Sequence, residues 1–345
     1  MGLDDGMERA KEGFFFFLPV LTVILLASLF GLMATLSATK VEATVFTAEE
    51  ESGTAGQAGA GLSNALLFII PAVVGSFGIV ALIKSGKKRL LKNIFRALLT
   101  FATGIMIVFF LYMFNQALAE RVWYVLMTPF PFIGSTYTIY YDMGAVFMFL
   151  IGGMLAGYFV TSVILSDKFT RKERNGALIV ISSLMGAFMA VILPTWTVVF
   201  LLLALAVWDI YAVFRGPIKQ MVEMNASGNL MGRFDPLGDD DPEFPFENLT
   251  YEADYWALGI GDLVFYSVLG AHSFFYSIPY VREEGYWMLL FFFIPVVIAI
   301  LIGFAYTIYR LTKGGRGAIL PGLPVPMFLG VSVFLIMMAL AAVLF

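Results

Sequence analysis

Two acidic residues, Asp209 and Asp262, stand deep inside apolar stretches of a 345-residue chain that is 60% hydrophobic and only 13% charged. Holding an ionisable group in hydrocarbon is costly, so such a residue either ties helices together or does chemistry. Two carboxyl groups brought close cannot both ionise readily, and the pair can hold one proton between them. The ionised member can then take a proton from water while the protonated member polarises a carbonyl. That is peptide hydrolysis, and it requires neither a metal nor a cofactor.

Other chemistries are poorly supplied. The chain has no cysteine, which removes disulfides, thiolate metal sites and cysteine nucleophiles. Its single histidine, His272, is a poor basis for a Ser-His-Asp triad or a histidine metal site. The net charge of −4 and the scattering of basic residues over short loops give no nucleic-acid footprint.

The elements that must position the pair are membrane spans. A helix crossing about 30 Å of hydrocarbon needs about 20 mostly apolar residues. Nine stretches qualify: 14–36, 62–83, 95–117, 140–165, 176–193, 196–214, 256–279, 287–308 and 324–344. The expected fold is an all-α polytopic membrane protein of nine transmembrane helices, forming a single membrane-embedded unit over 1–345. Of the 21 Lys and Arg residues, all but Lys40, Arg121 and Arg282 fall on one side of these spans. The positive-inside rule then predicts a cytoplasmic N-terminus and an extracellular C-terminus.

Asp209 lies six residues before Arg215, and Asp262 eight residues after Asp254. If both spans were helical to those boundaries, each acid would sit about 9–12 Å inside the same cytoplasmic edge. The two spans are antiparallel and joined by the acidic, proline-bearing loop 216–255, which reads either as a flexible linker or as a substrate-gating segment. Gly259 and Gly261 precede Asp262 and would permit close backbone approach, or weaken the helix for an extended substrate. Pro321, Gly322 and Leu323 open a stretch with prolines at 321, 324 and 326, which cannot form regular helix interior and puts a stiff segment on the same face.

In that order these elements resemble the presenilin and signal peptide peptidase superfamily of intramembrane aspartyl proteases. That superfamily carries Tyr-Asp in its sixth span, Gly-x-Gly-Asp in its seventh and Pro-Ala-Leu at its ninth. Here Trp208-Asp209, Gly259-Ile260-Gly261-Asp262 and Pro321-Gly322-Leu323 stand at those places, with Trp208 for the tyrosine and Gly322 for the alanine. The resemblance implies Asp209 and Asp262 as catalytic residues. It implies Gly259, Gly261, Pro321, Gly322 and Leu323 at the substrate site, and single-span membrane proteins or peptides in the lipid bilayer as substrates. The predicted orientation is that of presenilins, and the lack of a large hydrophilic insertion resembles microbial, archaeal homologues of the cell membrane. A homo-oligomer is left open. The competing reading is a proton- or ion-coupled channel or transporter using the same aspartates, with which the proline-rich segment has no evident connection. His272, ten residues beyond Asp262, is about 15 Å along the helix and reads as a packing or water-facing residue.

Overall fold

The computed structural model describes residues 3–35, 53–85, 88–118, 134–166, 168–217, 219–220, 250–252, 257–313 and 321–344. Among these, nine helices follow in chain order: α1 (Leu3–Thr35), α2 (Gly53–Lys84), α3 (Lys88–Leu118), α4 (Gly134–Leu165), α5 (Arg171–Ile192), α6 (Thr195–Phe214), α7 (Ile260–Glu284), α8 (Trp287–Lys313) and α9 (Pro324–Leu344). They correspond one for one to the nine expected spans. A short antiparallel hairpin precedes α7, with β1 (Thr250–Glu252) paired to β2 (Ala257–Gly259) in the register Thr250↔Gly259.

The boundaries differ in an instructive way. Helices α1 to α4 begin 6 or more residues before their apolar stretches, because a helix satisfies its own backbone and can run on into the polar interface. The seventh span departs in the other direction. It begins at Ile260 rather than 256, since β2 occupies the preceding residues. Most of the proposed gating loop, residues 221–249, lies outside the described residues.

Helices α2, α3, α4, α5, α6, α8 and α9 contain stretches long and apolar enough to cross a membrane, and α1 carries a shorter apolar stretch, Phe17–Met33. Helix α7 is more polar, with Asp262, Ser267, His272, Ser273 and Ser277 along its length. It can be, because protein surrounds it: α7 packs against α1, α5, α6, α8 and α9, and Tyr266 through Ser273 are all buried. Polar side chains are tolerated in a membrane where they face protein rather than lipid.

Local sequence sets the ends that matter. Thr170 and Glu173 form a capping box at the start of α5, the Thr170 N–H donating to Glu173 Oε2 at 2.7 Å. Pro194 keeps Leu193 extended and divides α5 from α6. Pro324 and Pro326 sit in the first turn of α9, where helix N–H groups have no intrahelical partner and none is missed. The Leu323 carbonyl accepts the Met327 N–H at 3.0 Å, and the Leu323 N–H is left pointing out of the helix.

Close helix approaches use glycine, as expected where packing rather than water exclusion drives association. Gly186 of α5 lies directly against Ser267 of α7, leaving no room for a Cβ. A Cβ on Gly303 of α8 would lie 2.5 Å from the Pro326 Cα of α9. At the start of α7, β1 rests on α5, and Ile260 packs against the cluster of Ile164, Leu178 and Ile181. The start of α7 and the start of α9 are therefore both held from outside.

Candidate active site

Helix α6 carries one charged residue, Asp209, which is half-buried near its C-terminal end. The helix packs against α2 and α9 and touches α7. Beside Asp209, the Trp208 ring is 5.8 Å from Phe77 of α2 and 5.3 Å from Tyr211 of its own helix. Asp209 Oδ2 accepts the Leu323 N–H at 3.1 Å, and the Gly322 N–H is also directed at this carboxyl group.

Asp262 occupies the first turn of α7, not the two turns of depth that an uninterrupted helix from 256 would give. Gly259 is the N-cap, extended at φ −65° and ψ 145°. Its N–H is directed at the Asp262 carboxyl. A carboxyl group among the unpaired N–H groups of a first helical turn is electrostatically favoured. The Asp209 and Asp262 carboxyl groups lie within electrostatic range of one another.

The segment Pro321–Leu323 reaches both. A Cβ on Gly322 would lie 2.5 Å from Asp262 Oδ2 and 2.8 Å from its Cγ, so the bare Cα of this residue is what lets the backbone sit against the acid. The Gly322 carbonyl accepts the hydroxyl of Tyr266 at 2.8 Å, and Tyr266 is fully buried. Pro321 and Gly322 are half-buried and Leu323 is buried.

The structure thus gathers Asp209, Asp262, Gly259, Pro321, Gly322 and Leu323. Gly259 is in ordinary contact, a Cβ there lying 3.6 Å from Asp262 Oδ2. Gly261 is exposed, and a Cβ would meet nothing within 4 Å among the described residues, so of its two expected roles it does not serve close helix approach. His272 stays apart. Its Nδ1 is 3.0 Å from the Ala190 carbonyl and its Nε2 is 3.2 Å from Thr195 Oγ1, at the α5–α6 turn. The residue that sequence reasoning missed is Tyr266. Its signal was available, since it follows Asp262 by one helical turn and so shares its face.

A family model for presenilin matches residues 9–230. This chain belongs to the presenilin family. The matched region takes in α1 to α6 with Asp209 and ends before α7. Presenilin-B of Dictyostelium discoideum is 30% identical over 159 residues, which is 46% of this chain and 29% of that protein. The matched stretch thus spans under a third of that relative's length. A solved structure described as a presenilin family intramembrane aspartate protease, in a P2 crystal form, aligns with a TM-score of 0.50 at 17% identity. The alignment covers 94% of this chain and 96% of the other, and it shows a shared presenilin-type fold. The chain is a multi-pass integral membrane protein.

Proposed function

We propose that this presenilin-family chain is an intramembrane aspartyl endopeptidase that hydrolyses peptide bonds in the membrane-spanning segments of other proteins, with Asp209 and Asp262 as its dyad. The observation that carries the reading is that one short backbone segment, Pro321–Leu323, lies against both carboxyl groups. An isolated structural carboxylate would need a single partner. A pair on different helices, sharing one scaffold and within electrostatic range, is suited to sharing a proton.

In the reaction, a water between the carboxyl groups loses a proton to the ionised member as its oxygen attacks the scissile carbonyl carbon. The proton already on the pair moves toward the carbonyl oxygen, and a gem-diol forms. As it collapses, the leaving nitrogen takes a proton from the pair, the C–N bond breaks, one gem-diol hydroxyl returns its proton to the pair, and the carboxyl and amine products separate. The Leu323 N–H can only donate, so Asp209 Oδ2 is held as an acceptor of that bond. The space that the described residues leave at Gly261 would give room beside Asp262 for an extended substrate. The extended backbone of β2, which leads directly into the helix bearing Asp262, offers main-chain groups to such a segment.

The reading includes a cytoplasmic N-terminus, a single functional unit over 1–345, and single-span proteins or membrane peptides as substrates. The test is cleavage of a single-span substrate by purified protein reconstituted in vesicles. Asp209→Ala and Asp262→Ala should each abolish product while leaving the protein folded. Normal cleavage by either variant sinks the mechanism. A cation leak that disappears in both variants, without proteolysis, would establish the transporter reading instead.

A further inference from the structure

The two hydrogen bonds at the proline-rich segment belong to one chemical group. The Gly322 carbonyl, which accepts from Tyr266, and the Leu323 N–H, which donates to Asp209, are the two ends of the same peptide unit. A peptide unit is planar and stiff, and in its trans form C=O and N–H point in opposite directions. No cis bond occurs among the described residues. The 322–323 peptide is therefore a rigid strut clamped at both ends, with Tyr266 of α7 on one side and Asp209 of α6 on the other.

We infer that Tyr266 is a positioning residue for the proposed hydrolysis, fixing Asp209 across this single peptide group. The inference rests on the protease reading for its kinetic consequence, but not for its geometry. Donation to a carbonyl polarises the amide and makes its N–H a better donor, so the Tyr266 hydroxyl strengthens the bond that holds Asp209. Tyr266 shares a helix with Asp262, one turn away, so the position of one acid is referred to the helix carrying the other. The hydroxyl makes this bond from a fully buried residue, and the Cα of Gly322 is meanwhile pressed against Asp262. Helices α6 and α7 pack on each other more lightly than α6 packs on α2 or α9, and more lightly than α7 packs on α1, α5 or α8. The strut supplies the registration that direct packing does not.

The test uses the full chain with Tyr266→Phe, which deletes only the hydroxyl. The structural arm is hydrogen exchange of residues 321–326. Pro321, Pro324 and Pro326 have no N–H, so exchange there reports Gly322, Leu323 and Val325 alone. Exchange in this segment should rise at least 10-fold, with other segments unchanged. The kinetic arm should show kcat reduced at least 10-fold at unchanged KM, because the substrate binds as before and the dyad is misplaced. Tyr266→4-aminophenylalanine, which keeps an N–H donor at the same reach, should restore most of both effects. Tyr266→4-methylphenylalanine, which fills the space without donating, should not, and it stands in if the Phe variant does not fold. Unchanged exchange overturns the strut outright. Unchanged kcat with raised exchange overturns its role in positioning. Absence of cleavage by the unaltered protein would be a failure of the protease reading instead, and the exchange arm would still decide the geometry.

Discussion

Gly303 and Pro326 meet backbone to backbone, with the site of a Gly303 Cβ only 2.5 Å from the Pro326 Cα and 2.7 Å from its nitrogen. This contact lies a helix away from both acids, yet it fixes the height of the segment that touches them. The obstacle is main chain, which cannot swing aside as a side-chain tip would.

Gly303→Ala should therefore shift the first turn of α9 rather than be absorbed locally. Overpacking of this kind costs about 1–3 kcal/mol. We expect a lower thermal midpoint in detergent together with a loss of cleavage larger than the unfolded fraction explains. An alanine variant with full activity would show that α9 is positioned by other contacts.

Gly322→Ala introduces the residue that the presenilin pattern carries at this place. In this chain its Cβ would lie 2.5 Å from Asp262 Oδ2 and 2.8 Å from Cγ. The carboxyl group must rotate away, and misplacing a reacting group by about 1 Å can cost about 100-fold in rate. Cleavage should fall by about 10- to 100-fold with the melting temperature nearly unchanged, as read from initial rates and a thermal scan of the same preparation.

Cleavage should follow a bell-shaped dependence on pH. When both carboxyl groups carry protons no base remains, and when neither does the carbonyl is not polarised, so the rate is lost on both sides. Initial rates in vesicles buffered equally on both faces measure this. A rate that rises steadily with pH would mean that one of the two acids takes no part.

His272 should matter for stability alone. The Ala190 carbonyl can only accept, so Nδ1 carries the proton and donates at 3.0 Å, which leaves Nε2 to accept the Thr195 hydroxyl at 3.2 Å. The ring also meets Phe334 edge-on at 5.9 Å. His272→Ala strands the buried Ala190 carbonyl and the half-buried Thr195 hydroxyl and should cost about 1–3 kcal/mol. Rate per folded molecule should stay within two-fold of the parent, roughly the scatter of such assays. A selective loss of kcat would place the imidazole in the chemistry.

What the sequence makes legible here is whatever hydrocarbon makes obligatory. Nine apolar runs must be helices because no other open structure satisfies its backbone in lipid. The two acids must be accounted for because burying them is costly. Residues 257–259 escaped because three-residue strands have too short a pattern to register, and their apolar Ala257 and Leu258 simply extended the neighbouring run. That placed the start of the helix too early and Asp262 two turns along it instead of in its first turn. Gly303 could not be singled out among 33 glycines, since only the approach of α9 distinguishes it. The two roles open to Gly261, close helix approach or room for an extended substrate, could not be separated for the complementary reason, because a glycine facing open space and one facing a helix look the same in one dimension.

Asp209 receives its hydrogen bond from main chain, not from a side chain. The donor is consequently not encoded by any particular codon at position 323: every amino acid except proline brings the same N–H. Mutational drift at that position can recontour the buried wall around Leu323 without withdrawing the contact to the acid. Substitution at position 323 is thereby a matter of packing volume alone, and the hydrogen bond to the acid belongs to the chain itself.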